Sequence, residues 1–511
     1  MQATTIGPVA PQERIQTIDI IRGFALLGIT VVNFTVDTGH VSPIEGRTAI
    51  VDQLFYWPIK LFMDDKFMDI YCFLFGLGFS IQMFRAEARG SSFVFLYMRR
   101  LLVFTLIGAA ATILISARSV LYDYAMLGAL LLLLHKLNKK LILLLVLLCL
   151  LIPWTISFRE SWNKEIQMKS NRIYIVVDST ILERYVGIYL HHENRKNPIT
   201  REGNKLWLTK LSGEKIQLLP QSETVFHSQG AKFTFWGDSL NKLTFVTAEK
   251  DSFTAIKIQP EKNTENTISP QRHSNTYIQS VVNRARWFWE DIKHWSWSDF
   301  FWNWHFNIAF PLFLLGLYAG KRKIFNEIFS HRQFLRNVMK WGFLIGITGV
   351  SISLGYDAWN YINDINKDSY SYLLNFFVRS EGPFWQLGVL MMALAYVAGL
   401  TLLLENINWK KRLSFLAPVG RMGLTNYLLQ LIAIDILFFR GFNNPDKFGP
   451  FWRTIFALIV FALLVIISRW WFKYFKMGPL EWLWRSLTYL KFQPMKLKAS
   501  DENSKPETMN T

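Results

Sequence analysis

Three polar residues share one side of the first apolar segment. Between Arg14 and Asn33, Asp19 and Arg22 stand three apart and Asn33 follows eleven residues after Arg22. At 100° per residue that spacing returns to nearly the same helical face. Polar side chains at membrane depth are costly unless they meet a cavity or a partner, so this stripe is a candidate site. The alternative is structural: Asp19 pairs with Arg22 at the membrane boundary and Asn33 bonds a neighbouring helix. A second group follows Arg421, where Asn426 and Gln430 are four apart and share a face with Met422. Amides offer donors and acceptors without the full cost of a buried charge, which suits either ligand recognition or interhelical bonding. Glu481 precedes Arg485 by four residues, the favourable order for a helical ion pair, and Arg485 would also suit a phosphate. Asp123, four residues after Ser119, presents a further carboxylate, or an interfacial Tyr122-Asp123-Tyr124 feature. Gly-rich phosphate loops, dinucleotide fingerprints and metal signatures are absent from the sequence, and His191-His192 lacks a third ligand, so no metal is expected.

The elements that must hold these groups are membrane helices. Half of the 511 residues are hydrophobic (51%) and 16% are aromatic, too apolar for a soluble chain of this length. Several runs approach the ~20 residues needed to cross the hydrocarbon core. Ten spans are expected, near 18–36, 67–84, 98–117, 120–135, 140–158, 301–320, 338–356, 383–404, 420–439 and 451–473. The net charge of +18 is concentrated in short loops, at Arg99-Arg100, Lys139-Lys140, Lys321 to Lys323 and Lys410 to Arg412. That is the bias of cytoplasmic loops, and it argues against nucleic acid as the partner. One orientation, with both termini in the cytoplasm, satisfies every clear bias. The first dozen residues lack a cationic n-region, so the first span is expected to stay as a signal anchor. Cys72 and Cys149 lie in expected spans and imply no disulfide framework.

The chain then reads as an all-α membrane protein with an inserted extracytoplasmic antiparallel β domain. Residues 1–158 form transmembrane block one, with five helices. Residues 301–490 form block two, also with five, and 491–511 a disordered cytoplasmic tail. The insert, 159–300, is the only stretch with sustained strand alternation, at 173–177, 205–208, 232–236, 243–245 and 255–258, punctuated by Glu202-Gly203-Asn204, Ser212-Gly213 and Gly237-Asp238. A small sheet or barrel over about 171–260 follows. Residues 261–276 read as a linker. Residues 277–300 combine Ile278, Val281, Trp287, Trp289, Trp295 and Trp297 with Arg284, Arg286 and Lys293, as a helix lying in the membrane interface or as a Trp-rich segment packed on the protein.

Several blocks carry a resemblance. The opening run, Lys66-Phe67 with Phe73-Leu74-Phe75-Gly76-Leu77-Gly78-Phe79, the Arg99-Arg100 pair, Gly420-Arg421-Met422-Gly423-Leu424-Thr425-Asn426-Tyr427 and Gly478-Pro479-Leu480-Glu481-Trp482-Leu483-Trp484-Arg485 resemble, in order, the YeiB-like family of bacterial membrane proteins. The segment Leu182-Glu183-Arg184-Tyr185-Val186-Gly187-Ile188-Tyr189 resembles the small lipocalin-like domain behind some serine β-lactamase-like proteins.

The YeiB-like family has no established activity. Its architecture is similar to that of transmembrane acyltransferases, among them the acyltransferase type three family and heparan-α-glucosaminide N-acetyltransferase. The resemblance implies a protein of the bacterial inner membrane that passes an acyl group from cytoplasmic acyl-CoA to an envelope glycan or lipid. No tightly bound cofactor is implied. Lys66, Arg99, Arg100, Arg421, Asn426 and Gln430 become donor or substrate contacts. In the related enzymes a His just outside the first span is the base, and here His40, with Asp37 to orient it, holds the comparable place. Family members carry a His in the third span and a Gly-Asp-Ile-Leu motif at the fourth, where this chain has Ala111 and Arg118-Ser119-Val120-Leu121. A chain lacking both ionisable groups has lost or changed that chemistry if they are catalytic. The readings outside catalysis are a transporter of a small solute, for which no convincing internal repeat is found, and a ligand-binding or sensory membrane protein.

Overall fold

The computed structural model describes residues 15–36, 50–88, 93–115, 120–170, 177–191, 195–209, 215–228, 231–236, 242–246, 252–258, 277–294, 305–362, 372–380, 382–441 and 448–497. Two compact units emerge. Unit one comprises Met1–Pro153, Ser274–Leu354 and Pro383–Thr511, and unit two comprises Trp154–His273 and Gly355–Gly382.

In chain order the first helices are α1 (Gln16–Thr35), α2 (Ile50–Phe62), α3 (Lys66–Ala88), α4 (Phe93–Leu114), α5 (Leu121–Leu134), α6 (Lys139–Ser170), α7 (Ser179–Glu183) and α8 (Tyr277–Lys293). They continue as α9 (Phe310–Lys321), α10 (Arg332–Ile362), α11 (Tyr372–Val378), α12 (Pro383–Leu403), α13 (Ile407–Leu413), α14 (Leu416–Arg421), α15 (Gly423–Ile434), α16 (Pro450–Tyr474) and α17 (Pro479–Tyr489). Among the described residues, seven helical segments are long and apolar enough to cross a membrane. Leu121–Leu134 and Gly423–Phe438 are shorter apolar helices. The chain is a multipass membrane protein.

Several expected spans change at their ends, for local reasons. α2 was not expected, because Asp52, Gln53, Pro58 and Lys60 dilute its hydropathy. α6 runs 32 residues to Ser170 rather than stopping near 158. Arg159, Glu160, Lys164 and Glu165 end the apolar window there, yet all favour a helix. The span expected at 301–320 opens as a π-helix, His305–Ala309, before Pro311 starts α9 at a position that needs no N–H donor. The span expected at 420–439 is broken: α14 ends at Arg421, Met422 has φ −106° and ψ 31°, and α15 begins at Gly423.

Glycine sets two close helix crossings in unit one. A Cβ on Gly76 of α3 would run into the carbonyl of Phe313, and one on Gly316 of α9 into that of Phe73. Likewise Gly23 of α1 meets the Leu416 carbonyl, and Gly420 meets that of Asp19. Without water to drive helices together, such small-residue contacts let backbones approach closely. Around the first crossing Phe75 stacks on Phe313 at 4.9 Å and meets Tyr124 edge-on.

Unit two contains a closed antiparallel barrel in simple up-and-down order: β1 (Gly187–His191), β2 (Arg195–Glu202), β3 (Lys205–Thr209), β4 (Lys215–Pro220), β5 (Val225–Ser228), β6 (Ala231–Trp236), β7 (Lys242–Val246) and β8 (Ser252–Ile258), with β8 pairing back to β1. Leu206, Leu208, Ile216, Leu218, Phe233, Phe235 and Leu243 alternate inward, while Trp207, Gln217 and Thr234 lie between them in sequence. Tyr185, Tyr189, Phe226 and Phe235 fill the centre, with Tyr185 4.3 Å from Phe235. The Tyr185 hydroxyl donates to the Glu223 carbonyl at 2.7 Å and that of Tyr189 to the Tyr185 carbonyl at 3.1 Å, so both buried phenols are satisfied. The expected turn at Glu202-Gly203-Asn204 joins β2 to β3, with Gly203 at φ +61°. The alternation at 173–176, the turns at Ser212-Gly213 and Gly237-Asp238, His192 and the linker 261–276 lie outside the described residues.

Two outcomes follow. Gly76→Val should cost about 3 kcal/mol or more by forcing α3 off α9. Gly355→Ala, whose Cβ would meet nothing within 4 Å in α10, should be neutral or stabilise by roughly 0.5–1 kcal/mol. Thermal midpoints of the two variants in detergent check the contrast. In the barrel, burial and the Lys232 ammonium directly across the ladder hold the His227 imidazole below the usual histidine range, while its Nε2 meets Gln221 Oε1 at 2.7 Å. The neutral ring is therefore the form the fold prefers. Its contribution is complete above the unfolded value of about 6.5 and is lost as pH falls from there through the folded value. Pulse proteolysis of the barrel in urea should show that acid loss, and His227→Gln should reduce it. Identical pH profiles would remove His227 as the cause.

Candidate functional site

The polar residues of unit one collect at three levels along α1 and α3. At the first level α1 supplies Asp19 and Arg22, whose Oδ1 and Nη1 are 3.4 Å apart. Tyr71 of α3 donates to the Arg22 carbonyl at 3.2 Å and lies 3.2 Å from the position a Cβ on Gly423 would take. Gly78 leaves room for the guanidinium, with Arg22 Nη2 3.5 Å from its absent Cβ. Arg100 of α4 donates to Gln82 Oε1 at 2.6 Å, and its guanidinium lies 4.1 Å from the centre of the Trp484 ring. Trp484 Nε1 returns a bond to the Arg100 carbonyl at 3.0 Å. Arg22 and Arg100 are close enough to repel electrostatically. Planar guanidiniums held by stacking and by neutral acceptors keep their charge available for an anion.

The break in the helix borders this level. Arg421 donates to the Lys476 carbonyl at 3.2 Å and stacks 3.9 Å from the Phe472 centroid. Glu481 reaches from α17 to the start of α15: Oε1 accepts from the amides of Leu424 at 2.8 Å and Thr425 at 3.1 Å, and Oε2 accepts from the Thr425 hydroxyl at 2.6 Å. A buried helix start has orphan N–H groups, and a carboxylate there also favours the helix dipole. Glu481 is thus a cap for α15, and the expected pairing with Arg485 is not what occupies its oxygens. Arg99 donates to the Thr488 carbonyl at 3.3 Å, tying α4 to α17.

At the second level Thr30, Gln430, Asn426 and Ser468 cross the interior. Thr30 Oγ1 lies 2.6 Å from Gln430 Oε1 and 2.8 Å from the Leu26 carbonyl. One hydroxyl proton cannot serve both acceptors, so either the proton alternates or the Gln430 amide turns to donate to Thr30. Asn426 Nδ2 donates to the Val419 carbonyl at 3.2 Å and to Ser468 Oγ at 2.9 Å, leaving Asn426 Oδ1 buried without a partner among the described residues. Asn33 is buried one turn beyond Thr30.

The third level lies at the N-terminal end of α3. Lys60 Nζ pairs with Asp64 Oδ2 at 2.6 Å, and Lys66 Nζ donates to the Lys60 carbonyl at 2.8 Å while lying 4.4 Å from the Trp385 ring centre. Asp65, at φ +62°, accepts from Trp385 Nε1 at 3.2 Å. Asp69 is fully buried, and neither carboxylate oxygen has a hydrogen-bond partner among the described residues. One turn on, Cys72 Sγ lies 3.2 Å from the Tyr124 hydroxyl.

The sequence-derived residues therefore divide. Asp19, Arg22, Arg100 and Glu481 come together with Tyr71, Gln82 and Trp484, while Arg421 at the helix break extends to the Lys476 carbonyl and the Phe472 ring. Asn33, Asn426 and Gln430 fall in the interior, and Lys66 belongs to the third level. Ala111 is buried in α4 and Asp123 opens α5. Asp37, His40, Arg118 and Ser119 lie outside the described residues. The acids Asp64, Asp65 and Asp69 were missed, although a Lys60/Asp64-Asp65-Lys66/Asp69 run beside an apolar span is itself a signal.

Comparison with known proteins finds one family and several relatives. Residues 319–491 match the family described as "Protein of unknown function (DUF418)". The "Uncharacterized protein YxaH" of Bacillus subtilis (strain 168) is 24% identical over 97% of this chain and 99% of its own length. The "Uncharacterized 39.9 kDa protein in amylase 3'region" of Bacillus acidopullulyticus is 24% identical over 96% of this chain and 99% of its own. The "Uncharacterized protein YeiB" of Escherichia coli (strain K12) is 30% identical over 32% of this chain and 41% of its own. No solved structure matches. The resemblance to YeiB-like proteins is thereby met.

Removal of the α15 cap should be measurable. Glu481→Ala is expected to cost about 3 kcal/mol, because buried amides lose a charged acceptor, and Glu481→Gln roughly half as much. Detergent thermal midpoints and protease protection of 423–434 provide the readout. A Glu481→Ala protein as stable as wild type would show that the cap is dispensable.

Proposed function

We propose that this relative of the YeiB-like proteins is a membrane acyltransferase-like protein, moving an acyl group from a cytoplasmic donor, acyl-CoA, to an envelope sugar or lipid. The observation that carries the reading is the polar equipment at both ends of α3. Arg22, Arg100 and Gln82 gather near its C-terminal turns, and Lys66, Asp65 and Asp69 near its start. Sixteen residues separate Lys66 from Gln82, about 24 Å of helix, close to the hydrocarbon thickness. In the orientation that keeps the basic loops in the cytoplasm of the bacterial inner membrane, with ten spans, the arginines face the cytoplasm. There they suit a phosphorylated donor. The acidic end faces outward, as does the insert 159–300, toward an envelope acceptor. The amides of Asn426 and Gln430 lie between, where a pantetheine arm would need donors and acceptors.

Acyl transfer needs a base for the acceptor hydroxyl or amine. His40, oriented by Asp37, is one candidate. Asp69, a buried carboxylate whose oxygens lack partners among the described residues, is the other. The membrane domain works without the barrel in this reading. It is supported by the Bacillus acidopullulyticus relative, named for 39.9 kDa against 59.7 kDa here and aligned over nearly its whole length.

A second reading, solute transport, is favoured by the helix broken at Met422, since discontinuous helices line transporter sites. Purified protein in liposomes separates the two. Acyl-CoA turnover onto envelope glycans or lipids is expected, with Arg22→Gln and Arg100→Gln each raising the donor KM about tenfold. His40→Ala and Asp69→Asn should separate the two bases through kcat. Solute uptake without acyl transfer would overturn the enzyme reading.

A further inference from the structure

We infer that α8 is an in-plane membrane anchor, seated in the headgroup and upper acyl layer of the bilayer at the level where α4 ends. The helix has four distinct sides at 100° per residue. Tyr277, Arg284 and Phe288 form the first and hold unit one. The Tyr277 hydroxyl donates to the Leu114 carbonyl at 3.0 Å, Arg284 Nε to the Ile113 carbonyl at 2.9 Å and Nη2 to that of Leu114 at 3.1 Å, and Phe288 meets Tyr122 edge-on at 6.0 Å. The last carbonyls of any helix lack intrahelical partners, and here α8 supplies them.

That attachment sets depth. α4 has 22 residues, about 33 Å of helix, and Leu102, Leu106 and Leu114 along it are exposed. A helix of that length and apolar surface crosses the hydrocarbon core, so its terminal carbonyls mark the edge of that core. α8 is clamped to those carbonyls. Its second side, immediately beside the first, carries Ile278, Val282, Trp289 and Ile292, with 73%, 49%, 63% and 42% of their surfaces exposed. The third side is polar, with Gln279, Asn283, Arg286, Glu290 and Lys293, and the fourth carries Trp287, 74% exposed, and Asp291, opposite the apolar strip. Indole rings favour the boundary layer, which accounts for Trp289. Glu290 lies 3.6 Å from Lys293, and across the polar and Trp287 sides the two cations Arg286 and Lys293 are matched in number by the two carboxylates Glu290 and Asp291. Embedding therefore rests on apolar area and requires no anionic lipid.

Full-length protein in nanodiscs tests this. Single cysteines replace Val282 or Asn283 and are spin-labelled, with wild type as the control for the buried Cys72 and Cys149. In phosphatidylcholine discs the label at 282 should show an oxygen-to-nickel accessibility ratio several-fold above that at 283. Adding phosphatidylglycerol should leave the ratio unchanged. Equal nickel accessibility at the two sites would place both in water and overturn the anchor. Exclusion of both reagents at 282 would mean that protein covers the strip, a second copy or another part of this chain, and would overturn it equally. A lower ratio at 282 in discs lacking anionic lipid would overturn the claim that charge is not needed.

Discussion

A helix broken inside a membrane domain must have its exposed amides answered, and in this protein Glu481 answers them. The N-terminus of α15 offers the Leu424 and Thr425 amides where α14 and α15 part, and one carboxylate from α17 accepts from both and from the Thr425 hydroxyl. In hydrocarbon an unanswered amide costs several kcal/mol, so the break and the cap exist together or not at all. The Thr425 hydroxyl in turn accepts from the Leu480 amide at 3.1 Å, closing the loop between the two helices. This bond set holds α17 together with the bonds from Arg99 to the Thr488 carbonyl and from Trp484 to the Arg100 carbonyl.

The same requirement governs α1. Its close approach to α14, permitted by Gly23 and Gly420, carries Arg22 to the edge of α3 and Thr30 to Gln430. Tyr71 then lies within electrostatic reach of both Arg22 and Glu481. At this level Arg22 pairs with Asp19, and the other guanidiniums meet neutral groups as well. Arg100 has a neutral amide and an aromatic face, and Arg421 a carbonyl and an aromatic face. Such contacts hold a guanidinium in place at less electrostatic cost to an incoming anion than a carboxylate partner would impose.

Unit two obeys a different physics. Water drives its apolar side chains inward, and Tyr185, Tyr189, Phe226 and Phe235 occupy the barrel centre. A ligand for this barrel would meet its rim or outer face rather than displace four packed rings. Closure of β8 onto β1 removes the free strand edges that a small sheet would otherwise expose.

The sequence by itself determined the membrane character, the place of the strand-rich insert and the apolar length of most spans, because hydropathy and period-2 alternation are local properties. Lys205–Leu208 and Lys232–Trp236 read as strands and form β3 and β6 for that reason. Strands such as Arg195–Glu202, with little alternation, were invisible and arise only by pairing with neighbours. Polar residues were legible as candidates one at a time, since Arg22, Arg100 and Asn426 stand out in apolar runs. Their partners were not: Tyr71 to Arg22, Gln82 to Arg100, Thr30 to Gln430 and Trp385 to Asp65 are joined across 49, 18, 400 and 320 positions of the chain. Helix spacing proposed Arg485 for Glu481, whereas packing presented it with the start of α15. Local sequence decides what a residue can bond, and only the tertiary structure decides which unmet group lies within reach.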